Sequence, residues 1–217
     1  DGAALLLFVA QAVNLVQVIK ETLSVSHDAR QLTPLISSAF ATGAAGFAAA
    51  QGVFDTALSA QAKKLGEALV TNSLSRLQVT MGKLHVGLGA LSYIFGLVAA
   101  AISFNSYRDS WLAAIRSGNR GAQSGAIIAL VASGGLVLTN AYGLGNTVQA
   151  GLRVLVAAKG EARKVAWEVA GTRLSGVFFR FSWVGSLFTI LELAGIWLYN
   201  RYNTSAHDQW LQSTPWG

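Results

Sequence analysis

The sequence predicts an all-α protein: a bundle of hydrophobic and amphipathic helices, with hydrophobic hairpins, suited to entering a membrane. Three observations predict it. Hydrophobic residues make up 53% of the 217 before 23 glycines are counted, against about 45–50% with glycine included in an ordinary soluble domain. Charged residues are 12%, about half the usual ~25%. The apolar residues also gather into runs free of Asp, Glu, Lys and Arg, at 2–19, 31–54, 84–107 and 121–152. A helix needs about 20 mostly apolar residues to cross hydrocarbon, so three of these runs are long enough and the first is borderline. A mean hydropathy of +0.46 leaves room for amphipathic stretches between them.

The charge balance points the same way. Lys and Arg number 16 against 10 Asp and Glu, a net charge of +6, and the pI is near 9.9. Basic charge draws nucleic acid or anionic lipid. With this hydropathy the expected partner is an anionic lipid bilayer, with no nucleic acid. The chain has no cysteine, which removes disulfides, thiol catalysis and cysteine metal sites. Residue 1 is Asp, and the first apolar run lacks the basic n-region of a signal peptide. The expectation is one helical membrane domain over 1–217, the C-terminal part of a longer protein.

The first run, 3–19, carries Gln11, Asn14 and Gln17, continued by Glu21. Spacings of three and four put them on one stripe of a helix. That stripe is either the solvent face of a soluble helix or the wet side of a helix in a pore. The run 31–54 is mostly small residues. Thr42, Gly46 and Ala50 recur every four, as do Ala41, Ala45 and Ala49. Small residues at that spacing let helices approach closely in lipid, and they do the same in soluble bundles. Pro34 suits a first helical turn, with Thr33 as its cap.

Residues 55–83 are amphipathic. Leu58, Ala62, Leu65 and Leu69 form one apolar face, and Val70, Leu74, Leu77, Met81 and Leu84 form another. The second face is turned by about a third of a revolution at ~100° per residue. A break near 71–73 explains the turn, so a surface helix or hairpin is expected here and not a span.

Residues 84–104 form the cleanest apolar helix, bounded by Lys83 and Arg108. Leu84, Leu88, Leu91, Ile94, Phe95, Leu97 and Val98 are its membrane-inserting candidates. Tyr107 and Trp111 follow, where interfacial aromatics usually sit, and a short helix is expected at 110–117. The run 121–152 exceeds one span, and 140–146 is rich in turn formers. It predicts a hydrophobic hairpin whose inserting candidates are Ile127, Ile128, Leu130, Val131, Leu136, Val137 and Leu138. Arg116 and Arg120 precede it, and Arg153, Lys159, Arg163 and Lys164 follow. Two basic ends can both stay on one anionic surface.

The stretch 174–200 is apolar and aromatic, interrupted by Arg180 and Glu192. Twelve residues separate these two, about 18 Å along a helix, so they cannot pair on one straight helix. Each needs another partner, water or a polar cavity. With Gln11, Asn14 and Gln17 they are the pore-lining candidates. Trp197, Trp210 and Trp216 join Tyr107 and Trp111 as interfacial anchors.

Catalytic patterns do not emerge. His27, His85 and His207 hold no metal-ligand spacing, and His85, inside an apolar run, reads as a packed histidine. Gly143 and Gly145 lack a third glycine, since Val148 stands there. No P-loop lysine and no nucleophile elbow occurs. No catalytic residue, cofactor or metal is expected, and the protein is not read as an enzyme.

The chain closes with Asp208, Gln209, Trp210, Leu211, Gln212, Ser213, Thr214, Pro215, Trp216 and Gly217. This ending resembles the C-termini of VasX-like type VI secretion effectors, large antibacterial proteins with a C-terminal, colicin-like membrane domain. The Ala/Gly-rich uncharged helices before it are similar in character. The resemblance implies a secreted toxin that forms a pore or ion channel in the inner membrane of a target bacterium. It also implies a cognate immunity protein and a secretion-targeting region outside this chain.

Three readings stay open on the residues. A pore-forming domain, with self-association as an option, explains the mixture of spans and amphipathic helices. A constitutive multi-pass membrane protein, such as a transporter or assembly subunit, explains the spans alone. A soluble all-α interaction module would bury the long helices in one another.

Overall fold

A computed structural model describes residues 32–67, 71–157 and 159–203. Among these residues the chain is an all-α bundle of four helices: α1 (Leu32–Glu67), α2 (Thr71–Arg116), α3 (Arg120–Val156) and α4 (Glu161–Tyr202). Gln11, Asn14, Gln17, Trp210 and Trp216 lie outside the described residues, as does the whole C-terminal ending.

Consecutive helices run antiparallel. Ser37 on α1 lies beside Ser103 on α2, while Gln51 lies beside His85. On α2 and α3, Gly96 meets Asn140 and Val86 meets Gly151. On α3 and α4, Gly135 meets Phe188 and Asn146 meets Arg173. Helices α2 and α4 are parallel neighbours, touching at Gly82 and Gly171.

The helices are longer and fewer than the sequence predicts. Helix α2 runs unbroken for 46 residues, absorbing 71–83, the apolar run and the expected separate helix at 110–117. Residues 71–73, where a break is expected, are helical. Leu58, Ala62 and Leu65 of the first apolar face fall on α1 and Leu74, Leu77, Met81 and Leu84 of the second on α2, while Leu69 and Val70 lie outside the described residues. Thr33 and Pro34, expected as cap and first turn, are both helical, and what precedes Leu32 lies outside the described residues.

The expected turn at 140–146 is absent, because α3 is continuous from Arg120 to Val156. The polar side chains there satisfy themselves within the helix. Asn140 donates to the Leu136 carbonyl at 2.8 Å and Asn146 to that of Tyr142 at 2.9 Å. Thr139 and Thr147 donate to Gly135 and Gly143 in the same way. Such i−4 back-bonding lets these residues stay helical. Gly143 serves packing: a Cβ there would strike the Tyr93 ring.

The real turns are short and use glycine where φ is positive. Gly118 (φ 69°) follows α2 and Gly160 (φ 87°) precedes α4, conformations that cost a side chain-bearing residue strain. Asn119 then caps α3, its Oδ1 accepting from Ala122 N at 3.1 Å. The Asn119 amide also donates to the Tyr202 carbonyl at the end of α4, tying the two helix ends together.

Packing is closest where glycine faces glycine. A Cβ on Gly171 would lie 2.9 Å from the Gly82 nitrogen and 3.1 Å from the Gln78 carbonyl. A Cβ on Gly195 would lie 2.5 Å from the Ala129 nitrogen, and one on Gly125 2.8 Å from the Gly195 carbonyl. Backbone touches backbone at both crossings, the arrangement small residues permit in lipid-embedded helices.

The distribution of side chains is inverted relative to a soluble domain. Among the described residues, eleven of the fifteen buried hydrophobic side chains are alanines, and the largest fully buried side chains are Thr147 and Ser133. Large apolar side chains point outward instead: Leu138 is 73% exposed, Val131 65% and Ile190 62%. Soluble proteins put Leu, Ile, Val and Phe inside. Here the inside holds small and polar residues and the outside is apolar.

Candidate functional site: a polar cavity inside the bundle

The inward faces of the four helices line a half-open cavity of about 720 Å³, its surface more apolar than polar. Its lining extends along α2 from Ser92 to Ser110, about 27 Å at ~1.5 Å per residue. Hydroxyls and amides dominate the polar part: Ser37, Ser92, Ser106, Thr139, Asn140, Ser182, Thr189 and Asn200. The alanines of α1 and the Gly96 and Gly185 positions keep the space open.

Glu192 lines this cavity from α4. Its carboxylate accepts hydrogen bonds from Tyr107 and Ser103 on α2. Ser103 also lies beside Tyr107 and its Oγ is 3.0 Å from the Ser37 Oγ on α1. Ser37 in turn bonds the Ala99 carbonyl at 3.2 Å. One polar network thereby joins α1, α2 and α4 around the carboxylate. A charge in an apolar helix is costly unless it has such partners or water, and Glu192 has both partners and a cavity.

A second polar contact lies deeper. Gln51 and His85 are each 2% exposed, with the Gln51 amide nitrogen 2.5 Å from His85 Nδ1. His85 also approaches the Phe178 ring at 6.3 Å. It is a packed histidine, as the sequence predicts. Beyond it, Ala150, Val154, Ala170 and Leu174 form an apolar cluster covered by Val86 and Trp167. This cluster closes the bundle at the end where α2 and α4 begin.

The remaining predicted residues fall as follows. Leu91, Ile94, Ile127, Ile128, Val131 and Leu138 are exposed on the outer faces. Leu84, Leu88, Leu97, Val98, Leu130 and Val137 are half-buried. Phe95 turns toward α1, where it meets Phe40 and Phe47, and Leu136 lines the cavity. Arg180 is exposed beside a smaller pocket with Tyr142, Arg173 and Phe181, away from Glu192. Tyr107, expected as an anchor, lines the cavity and binds Glu192. Trp111 is half-buried, while Trp197 is 62% exposed with Arg201 stacked 5.4 Å over its ring.

Sequence reasoning missed Ser37, Ser103 and the Gln51 contact. Serines and a glutamine scattered in Ala-rich helices carry no motif, and their inward orientation depends on how the helices cross. A sequence signal for Ser103 and Tyr107 did exist, since they are four apart and so share a helix face.

Three of the described helical segments are long and apolar enough to cross a membrane: Ser75–Arg116, Arg120–Val156 and Glu161–Tyr202. No protein-family model, no curated protein and no solved structure matches the chain.

Proposed function

We propose that this chain is a pore-forming membrane domain of an antibacterial toxin, acting at the inner membrane of a target bacterium and dissipating its membrane potential. The observation that carries the pore is a cavity set with hydroxyls, amides and one carboxylate inside an apolar exterior. Its extent of about 27 Å is close to the ~30 Å of bilayer hydrocarbon. Helices satisfy their own backbone groups, so they can stand in lipid while their inner faces hold water and ions. The Val154–Leu174 cluster closes one end, so the described arrangement corresponds to a closed state that must open there.

The antibacterial setting rests on the resemblance of residues 208–217 to VasX-like effectors. An anionic bilayer, a cognate immunity protein and delivery by secretion belong to the same reading.

The test is expression with and without a periplasmic signal, followed with a membrane-potential dye. Depolarisation only from the periplasm is the expected result. Purified protein that never permeabilises anionic liposomes, at any pH or composition, would sink the proposal.

A constitutive multi-pass membrane protein is the second reading, favoured by the outward Leu138, Val131 and Ile190, which already suit lipid. It requires detergent at every step of purification. Monodisperse protein recovered without detergent would exclude it.

A further inference from the structure

Resting on the pore reading above, we propose that the cavity passes cations in preference to anions and that Glu192 sets the preference. Among the described residues, Glu192 is the sole charged side chain in the lining. The chain carries 16 Lys and Arg, and none of the described ones lines the cavity. Among the described residues, a protein of net charge +6 thus lines this space with one formal charge, and it is negative. Hydroxyl and amide oxygens solvate ions of either sign weakly. A fixed carboxylate in a confined passage discriminates by sign, the device that acidic rings use in cation channels.

The geometry leaves the carboxylate available. A carboxylate offers about four lone-pair sites, and Tyr107 and Ser103 occupy two. The rest remain for a cation in the cavity. The nearest competing charge on the same helix is Arg201, nine residues on and about 14 Å along the axis. It is exposed and held over Trp197, itself a lining residue, while Arg108, next to Tyr107 on α2, is exposed and paired with Asp109 at 3.1 Å. Exposed charges are largely screened beyond a Debye length of about 10 Å at 0.1 M salt, whereas a partly buried charge lining a cavity is screened much less. The enclosed glutamate outweighs the more numerous surface arginines for an ion in transit.

The experiment is a reversal-potential measurement on the full chain in planar bilayers of phosphatidylethanolamine and phosphatidylglycerol, under a KCl gradient. Wild-type channels are expected to favour K⁺ over Cl⁻ by a ratio on the order of ten. Glu192→Gln should bring the ratio near unity and Glu192→Asp should keep most of it. Arg201→Gln should change it far less than Glu192→Gln does. Wild-type channels with no preference, or a preference for Cl⁻, overturn the inference and leave the pore reading standing. So does a Glu192→Gln channel with the wild-type ratio. If Glu192→Gln forms no channels, the wild-type ratio alone decides. No current from the wild type at all takes down the pore reading and the inference with it.

Discussion

At Glu192 the energetics turn on two hydroxyls. An exposed carboxylate needs no protein partner, but one on an apolar helix must replace the water it lacks. Tyr107 and Ser103 provide that replacement. Tyr107→Phe removes one donor and leaves the ring. Losing a hydrogen bond to a buried acceptor of this kind costs about 1–3 kcal/mol, so a lower unfolding midpoint in detergent is expected. In a double-mutant cycle, Tyr107→Phe and Glu192→Gln should be markedly non-additive, because each removes the same bond. Additive effects would show that the two do not interact. The Gln51–His85 contact gives a second case: His85→Ala should cost roughly 2–4 kcal/mol, from lost packing and a stranded Gln51 amide. Thermal scanning of the variant checks it. Glu192 was visible in the sequence as a residue in need of a partner. Which partner was not visible, because Tyr107 sits on another helix and its apparent role at a helix end fitted an interfacial anchor equally well.

Helices meet here through absent side chains. At the Gly125–Gly195 crossing the backbones of α3 and α4 are in contact, so any larger residue must push them apart. Gly195→Leu should destabilise the bundle by at least about 1–3 kcal/mol, as overpacking does, with a fall in unfolding midpoint. An equal change at Gly176, where nothing lies within reach of a Cβ, should be tolerated. The absence of native cysteine allows a clean test of the α1–α2 contact. The Ser37 and Ser103 hydroxyls are 3.0 Å apart, so Ser37→Cys with Ser103→Cys should form a disulfide under oxidation. Failure of that crosslink would show that the two helices do not meet at this level.

Element type and the apolar runs were legible in the sequence, while element boundaries were less so. The turn formers at 140–146 misled because Asn and Thr have two outlets. They can cap a turn, or they can bond the carbonyl four residues back, and only the packing of α2 against Gly143 and Asn140 decides between them. Conversely, Gly118 and Gly160 gave little warning, since glycine is common throughout the chain and only two of the described ones have positive φ.

For the whole molecule, the antiparallel order sorts the charges. Lys63, Lys64, Arg76, Lys83, Arg153, Lys159, Arg163, Lys164 and Arg173 lie toward the end where α1 closes and α2 and α4 open. The opposite end holds Arg108, Arg116, Arg120 and Arg201. Both ends are basic, as the flanks of each apolar run suggest, and between them lies an apolar exterior interrupted by the exposed Arg180 midway along α4. Trp183 and Trp197 on α4 are exposed there. Their fluorescence should be quenched by brominated acyl chains when the domain is bound to liposomes. Emission unaffected by the bromine would mean that α4 does not enter the hydrocarbon.

The outward placement of Leu138, Val131 and Ile190 also has a consequence for how the sequence can vary. In a water-soluble domain the core resists substitution and the surface accepts polar change. Here the rule reverses by location. Positions 131, 138 and 190 should accept almost any apolar residue and reject charge. Gly125, Gly195, Ser103 and Thr147 should accept almost nothing larger. A library scored for function would therefore place its most permissive apolar sites on the outside, with the strictest limits on size at the helix crossings and around the cavity.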